Sequence, residues 1–106
     1  MTPEDSRYNM EIVEDETMLL CLDLNGKGLA NGEIAGGLLQ VMSYFARGVE
    51  NKDVRETMAD VLESFANHLR TKAPQQLDLE SRRKISVDRL LDKAVQEGRE
   101  PPDSLP

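Results

Sequence analysis

Two stretches in the middle of the chain carry the same pattern of apolar positions. The first begins at Ile34 and the second at Val54, and in both the apolar residues follow at offsets of 0, 4, 7, 8, 11 and 15. This spacing places them on one face of an α-helix. Asn51 suits the N-cap of the second helix, so we predict an antiparallel αα-hairpin in which Phe45 and Phe65 meet in the core.

The remaining pattern predicts a third helix and an N-terminal hairpin. Pro74 ends the second long helix, and Ser86 is the expected N-cap of a helix closed by Gly98. Residues 99–106 read as a disordered, proline-rich tail. Thr2-Pro3-Glu4-Asp5 is typical of a helix start and predicts a short helix, to about Tyr8 or Met10.

Between Met10 and Leu24 two apolar runs are separated by Glu14-Asp15-Glu16, which predicts a β-hairpin. The alternative is a helix from Asp15 to Gly26, because Leu and Met favour helix and acids suit a first turn. The expected fold is α+β and mainly helical. A short N-terminal β-hairpin packs on the αα-hairpin with a third, C-terminal helix, in one compact domain over residues 1–98.

The first long helix has no charged residue between Glu33 and Arg47, and Ala35, Leu39 and Ala46 widen its apolar arc. Such a helix needs cover on several sides. Either it is the central helix of a monomer, or part of it forms a subunit interface. Two arrangements would explain the pair Gly36-Gly37: another backbone that packs closely against it, or a helix that begins later in the sequence than the apolar pattern suggests.

Composition narrows the function classes. The chain has 106 residues, 20 acidic and 13 basic, with a net charge of −7. Direct binding to nucleic acid or anionic lipid is not expected, since both depend on clustered Lys and Arg. Cys21 is the only cysteine, which suits a reducing compartment and predicts a cytoplasmic protein. No export signal is visible, and the longest uncharged stretch is 13 residues, against ~20 for a membrane span.

Candidate chemistry is sparse. Residues 23–28 begin like a calcium loop, but Lys27 and Ile34 stand where oxygen ligands belong. The glycines from Gly26 to Gly32 lack the spacing of a phosphate loop. His68 is the only histidine, so a Cys21–His68 pair is the one nucleophilic arrangement left. We expect no enzyme, no metal and no cofactor.

The acidic residues give the better lead. Asp53, Glu56, Asp60 and Glu63 fall within about 80° of one another, opposite the apolar stripe of their helix. We call these four residues the acidic ridge. Glu11, Glu14, Asp15 and Glu16 form a second cluster at the predicted hairpin turn. Both groups are candidate partner-binding residues. Arg82, Arg83, Lys84 and Arg89 are expected to pair with the chain's own acids or to mark a contact.

The leading functional hypothesis is a small acidic, non-enzymatic binding protein. It would modulate or inhibit a basic, nucleic-acid-handling protein or nucleoprotein complex. Inhibitors encoded by phages and other mobile elements, anti-CRISPR proteins among them, are typical of this class, by analogy of size and charge. The first alternative is a homodimer or an accessory subunit of a cytoplasmic complex, with the uncharged helix as its interface. The second is a small enzyme or ligand binder around Cys21 and His68.

Overall fold

The chain folds into four helices. The computed structural model describes residues 2–98, and within them the elements are α1 (Pro3–Gly26), α2 (Asn31–Ala46), α3 (Lys52–Thr71) and α4 (Leu79–Gln96), with no strand. The predicted α+β class is therefore wrong, because residues 10–24 lie inside α1 and form no β-hairpin. Over this described range the fold is all-helical, and none of its helices is long and apolar enough to cross a bilayer.

The start of α1 follows the sequence prediction, while its length does not. Asp5 N donates to Thr2 Oγ1 at 3.1 Å, and Thr2 N donates back to Asp5 Oδ2 at 3.3 Å, which completes a capping box ahead of the first turn. The helix then continues to Gly26. Leu19 and Leu22 are buried on the same face as Asp15, at the spacing of three or four residues that a helix face requires.

Helix α4 begins eight residues earlier than predicted, with its N-cap at Asp78 in place of Ser86. Asp78 is its N-cap and accepts a hydrogen bond from Ser81 N at 3.1 Å, which lowers the pKa of the Asp78 carboxyl. Ser86, the predicted cap, is instead a buried residue inside the helix. Gly98 follows the helix end with a φ of 69°, as the sequence predicted for a glycine that closes a helix.

The contacts divide the chain into two units. Unit 1 joins the residues up to Asn31 to those from Asp78 onward, and unit 2 spans Gly32–Leu77. In unit 1, α1 and α4 pack against each other around four buried apolar residues: Leu19, Leu22, Leu90 and Ala94. The single domain over residues 1–98 stays a prediction, and the predicted tail, residues 99–106, lies outside the described residues.

Unit 2 contains the two amphipathic helices, with boundaries close to those predicted. Among the described helices only α1 and α4 pack closely, so the predicted antiparallel αα-hairpin is wrong: α2 and α3 follow each other along the chain without a packed interface between them. Val54 N donates to Asn51 Oδ1 at 3.1 Å, which confirms Asn51 as the N-cap of α3. Arg55 Nη1 donates to the Val49 carbonyl oxygen at 2.9 Å and so fastens the joint between the helices. The predicted core contact is wrong, however, because Phe45 is 72% exposed and Phe65 is 49% exposed.

Candidate protein-interaction surfaces

A network of charged side chains lies between α1 and α4. Its centre is Asp15, which has no exposed surface. Its carboxylate accepts hydrogen bonds from Ser86 Oγ at 3.1 Å and from Arg89 Nε at 2.8 Å. Arg82 Nη2 lies 3.6 Å from Asp15 Oδ1. A buried carboxylate is tolerated only when paired in this way, so the network fixes how α1 and α4 face each other.

Further ion pairs continue along the same seam. Glu14 lies 2.5 Å from Arg82 and 3.3 Å from Arg89, and Lys93 Nζ donates to Glu11 Oε2 at 2.7 Å. The hydrogen bond from Lys93 is the main reason that the pKa of Glu11 is lowered.

Arg82, Arg83 and Arg89 of α4 form ion pairs with acidic residues of α1. This is one of the two roles that the sequence predicted for them. Arg89 pairs with Asp15, whose hydrogen bond raises the pKa of the guanidinium, and Arg83 Nη2 lies 3.1 Å from Asp23 Oδ1 near the end of α1. Glu11, Glu14 and Asp15 are therefore engaged with α4, and the exposed members of that cluster are Glu14 and Glu16. Their use as partner contacts stays a prediction.

The residues considered for catalysis are far less organised. Cys21 is half-buried in unit 1, and burial raises the pKa of its thiol, which disfavours the reactive thiolate. His68 is exposed on α3 in unit 2. Among residues 2–98, no group of three or more His, Cys, Asp or Glu side chains could hold a metal ion.

The largest departure from an ordinary folded interior is in unit 2. No residue of α2 or α3, both fully described, is buried. Ten of their large apolar side chains are exposed, and eight of these lie on the two apolar stripes. We call these eight the α2–α3 apolar surface: Leu38, Val41 and Phe45 on α2, and Val54, Val61, Leu62, Phe65 and Leu69 on α3. The other two, Leu39 and Tyr44, lie off the stripe of α2.

Two details of unit 2 add to this surface. A cleft of about 380 Å³ opens near the joint, with Met58 and Leu62 among its apolar lining residues and Lys52 and Glu56 among its charged ones. A Cβ added at Gly36 or at Gly37 would meet no other group within 4 Å. Within residues 2–98, therefore, no backbone makes the close approach that could explain the glycine pair.

The acidic ridge lies on the opposite side of α3 from the apolar stripe. All four of its carboxylates are exposed. Lys52 Nζ lies 4.0 Å from Glu56 Oε1, and both side chains are mostly exposed, so this pair neutralises little of the ridge. Unit 2 thus carries an apolar surface and a charged surface on different sides of one helix.

The sequence located the apolar stripes and predicted that Phe45 and Phe65 meet in an internal core, with a subunit interface as the alternative for part of α2. The signal that pointed elsewhere was the uncharged stretch of α2, which is wider than one neighbouring helix can cover.

Comparison with protein-family models, with curated proteins and with solved structures finds no match to this chain. The surfaces themselves therefore carry the functional interpretation.

Proposed function

We propose that this chain is a non-enzymatic protein-binding subunit whose contact site is the α2–α3 apolar surface. One observation carries the proposal: ten large apolar side chains are exposed on two helices that bury none of their residues. A folded chain rarely leaves a large apolar area in water unless another molecule covers it.

Helix stability leads to the same proposal. The two helices have 16 and 20 residues, and helices in proteins owe most of their stability to packing of an apolar face rather than to helix propensity. Gly36 and Gly37 weaken α2 further, by roughly 1 kcal/mol each relative to alanine. A polypeptide lying on the apolar surface would give both helices the burial that this chain does not supply.

Unit 1 supports the assignment by contrast. It has a core of its own, with Leu19, Leu22 and Leu90 buried between α1 and α4, and Asp15 and Lys93 paired within the chain. Apolar side chains on its outer faces, Val13 and Val95 among them, are exposed as well. Unit 2 differs because neither of its helices has a buried residue.

Site-specific photo-crosslinking tests the proposal. A benzoylphenylalanine at position 45 lies on the apolar stripe, and the same group at position 40 lies on the opposite side of α2. Irradiation of living cells that contain either variant should give protein adducts from position 45 and few from position 40. Adducts of any polypeptide, this chain included, support a protein-binding surface, whereas equal labelling from both positions or none from either contradicts it.

A second candidate is the hypothesis that the acidic ridge engages a basic, nucleic-acid-handling protein and modulates it. The observation that favours it is the exposure of Asp53, Glu56, Asp60 and Glu63 on one side of α3. Like charges four residues apart, such as Glu56 and Asp60, weaken a helix slightly, and a basic partner would offset that cost. The apolar surface and the ridge lie on different sides of α3, so both contacts are compatible.

The ridge hypothesis predicts a specific kinetic signature. Replacing Glu56→Lys together with Glu63→Lys should change stability by less than about 0.5 kcal/mol, since both residues are exposed. Association with the basic partner should slow at low salt and lose its dependence on ionic strength near ~0.1–0.2 M. Surface plasmon resonance at two salt concentrations measures both effects, and unchanged association kinetics would reduce the ridge to a solvated face.

A further inference from the structure

We infer that the polypeptide covering the α2–α3 apolar surface is a second copy of this chain, so that the protein is a symmetric homodimer. The inference rests on the proposed function and names the partner for that surface. Three properties of the surface favour a second copy over an unrelated protein: its area, its lack of charge, and the identical spacing of the apolar residues on α2 and α3.

The exposed apolar area fits the requirement of a stable dimer. The eight large side chains of the two stripes are on average about half exposed, and at roughly 100 Å² each they present on the order of 800 Å² on each chain. A stable interface buries about 800 Å² per partner. One copy on another can therefore cover the surface without help from any further chain.

The charge distribution leaves one surface on which two copies can contact each other without repulsion. Each carries a net charge of −7, so most of the molecular surface repels another copy. The stretch from residue 34 to residue 46 has no charge, and the acidic ridge lies on the far side of α3. Contact through α2 and the α3 stripe leaves the carboxylates in water. A strongly basic partner, in contrast, would find no complementary charge on this uncharged stretch.

The apolar stripes of α2 and α3 also match each other. Both follow the offsets 0, 4, 7, 8, 11 and 15, yet within the chain Phe45 and Phe65 stay exposed. Two copies would supply four such helices, and a bundle of four helices buries one apolar stripe from each. A two-fold axis makes that contact self-complementary, because the same patch serves on both subunits.

Analytical ultracentrifugation of the purified full chain tests the inference. The wild type should sediment with twice the 11.9 kDa chain mass at concentrations of ~10–100 µM, which exceed a dissociation constant of about 1 µM. Phe45→Glu should raise the dimer dissociation constant by ~30-fold or more, as expected for an interface hot spot. Gln40→Glu adds the same charge on the opposite side of α2 and should leave the dimer intact.

Further measurements keep the inference testable if Phe45→Glu does not fold. Phe45→Ala, which adds no charge, should weaken the dimer in the same direction. Amide hydrogen exchange read by mass spectrometry should show that α1 and α4 keep their protection in both Phe45 variants. In the purified protein, benzoylphenylalanine at position 45 should give an adduct of twice the chain mass.

The outcomes separate the inference from the proposed function. A wild type that is monomeric throughout, together with cellular adducts to other proteins, overturns the second copy and leaves the protein-binding surface standing. A monomer with no adducts overturns both. A dimer that Phe45→Glu does not weaken overturns the inference, because the contact then lies elsewhere.

Discussion

Asp15 is the residue on which the packing of α1 against α4 depends most. It is fully buried, and its carboxylate holds Ser86 and Arg89 of α4. Removing one member of a buried ion pair leaves the other without compensation. Water partly solvates the Arg89 guanidinium when its partner is removed, since the Arg89 side chain is 33% exposed. This solvation lowers the free-energy cost of breaking the pair.

Asp15→Ala should therefore lower the free energy of unfolding by about 3 kcal/mol, the lower end of the range for a broken buried pair. Glu16→Ala, one position along the same helix, is the matched control and should cost less than about 0.5 kcal/mol because Glu16 is exposed. Urea denaturation measures both. Equal losses for the two variants would show that Asp15 has no special place in the seam.

Asp15 also shows what the sequence could not reveal. A run of three acids between apolar segments is typical of a solvated turn, and that interpretation produced the wrong β-hairpin. The carboxylate is buried only because Arg82, Arg89 and Ser86, more than 60 residues later, meet it on α4. Periodicity along one segment carries no information about such a distant counter-charge.

At the scale of elements, helix ends were more predictable than helix packing. Thr2 and Asn51 act as N-caps where the sequence placed them, and α3 ends before Pro74. These signals are local, since a cap needs only the backbone of the next turn. The start of α4 was missed because Asp78 caps it from within a polar stretch, while Ser86 belongs to the buried seam.

The pairing of α1 with α4 should depend on pH in a defined direction. The pKa values of Glu11 and Asp78 lie below their ordinary values of 4.5 and 3.8 in the folded chain. A lowered folded pKa gives stability that is present above the ordinary value and lost as the pH falls through the folded one. The unfolding free energy should therefore decline from about pH 4.5 downward.

Glu11→Gln isolates one part of that decline, because the amide has the shape of the acid and does not titrate. Urea unfolding at a series of pH values should show a shallower acid decline for this variant than for the wild type. Identical pH profiles would mean that the Lys93–Glu11 pair contributes nothing to the linkage.

At the scale of the whole molecule, the two units are stabilised in different ways. Unit 1 buries leucines and pairs its charges within one chain, whereas unit 2 leaves its apolar stripes open. The sequence located those stripes and the uncharged helix correctly, and it kept a subunit interface as one of two explanations. It could not choose between them, since an apolar stripe has the same pattern whichever chain covers it.

Amide hydrogen exchange, read by mass spectrometry, tests most directly whether α2 and α3 depend on a partner. The comparison is between the wild type, Phe45→Glu and Gln40→Glu at one protein concentration. In Phe45→Glu the amides of α2 and α3 should exchange at least ~10-fold faster, equivalent to about 1.4 kcal/mol of lost protection, while those of α1 and α4 stay unchanged. Gln40→Glu should match the wild type in all four helices. Equal protection of α2 and α3 in all three proteins would contradict the account.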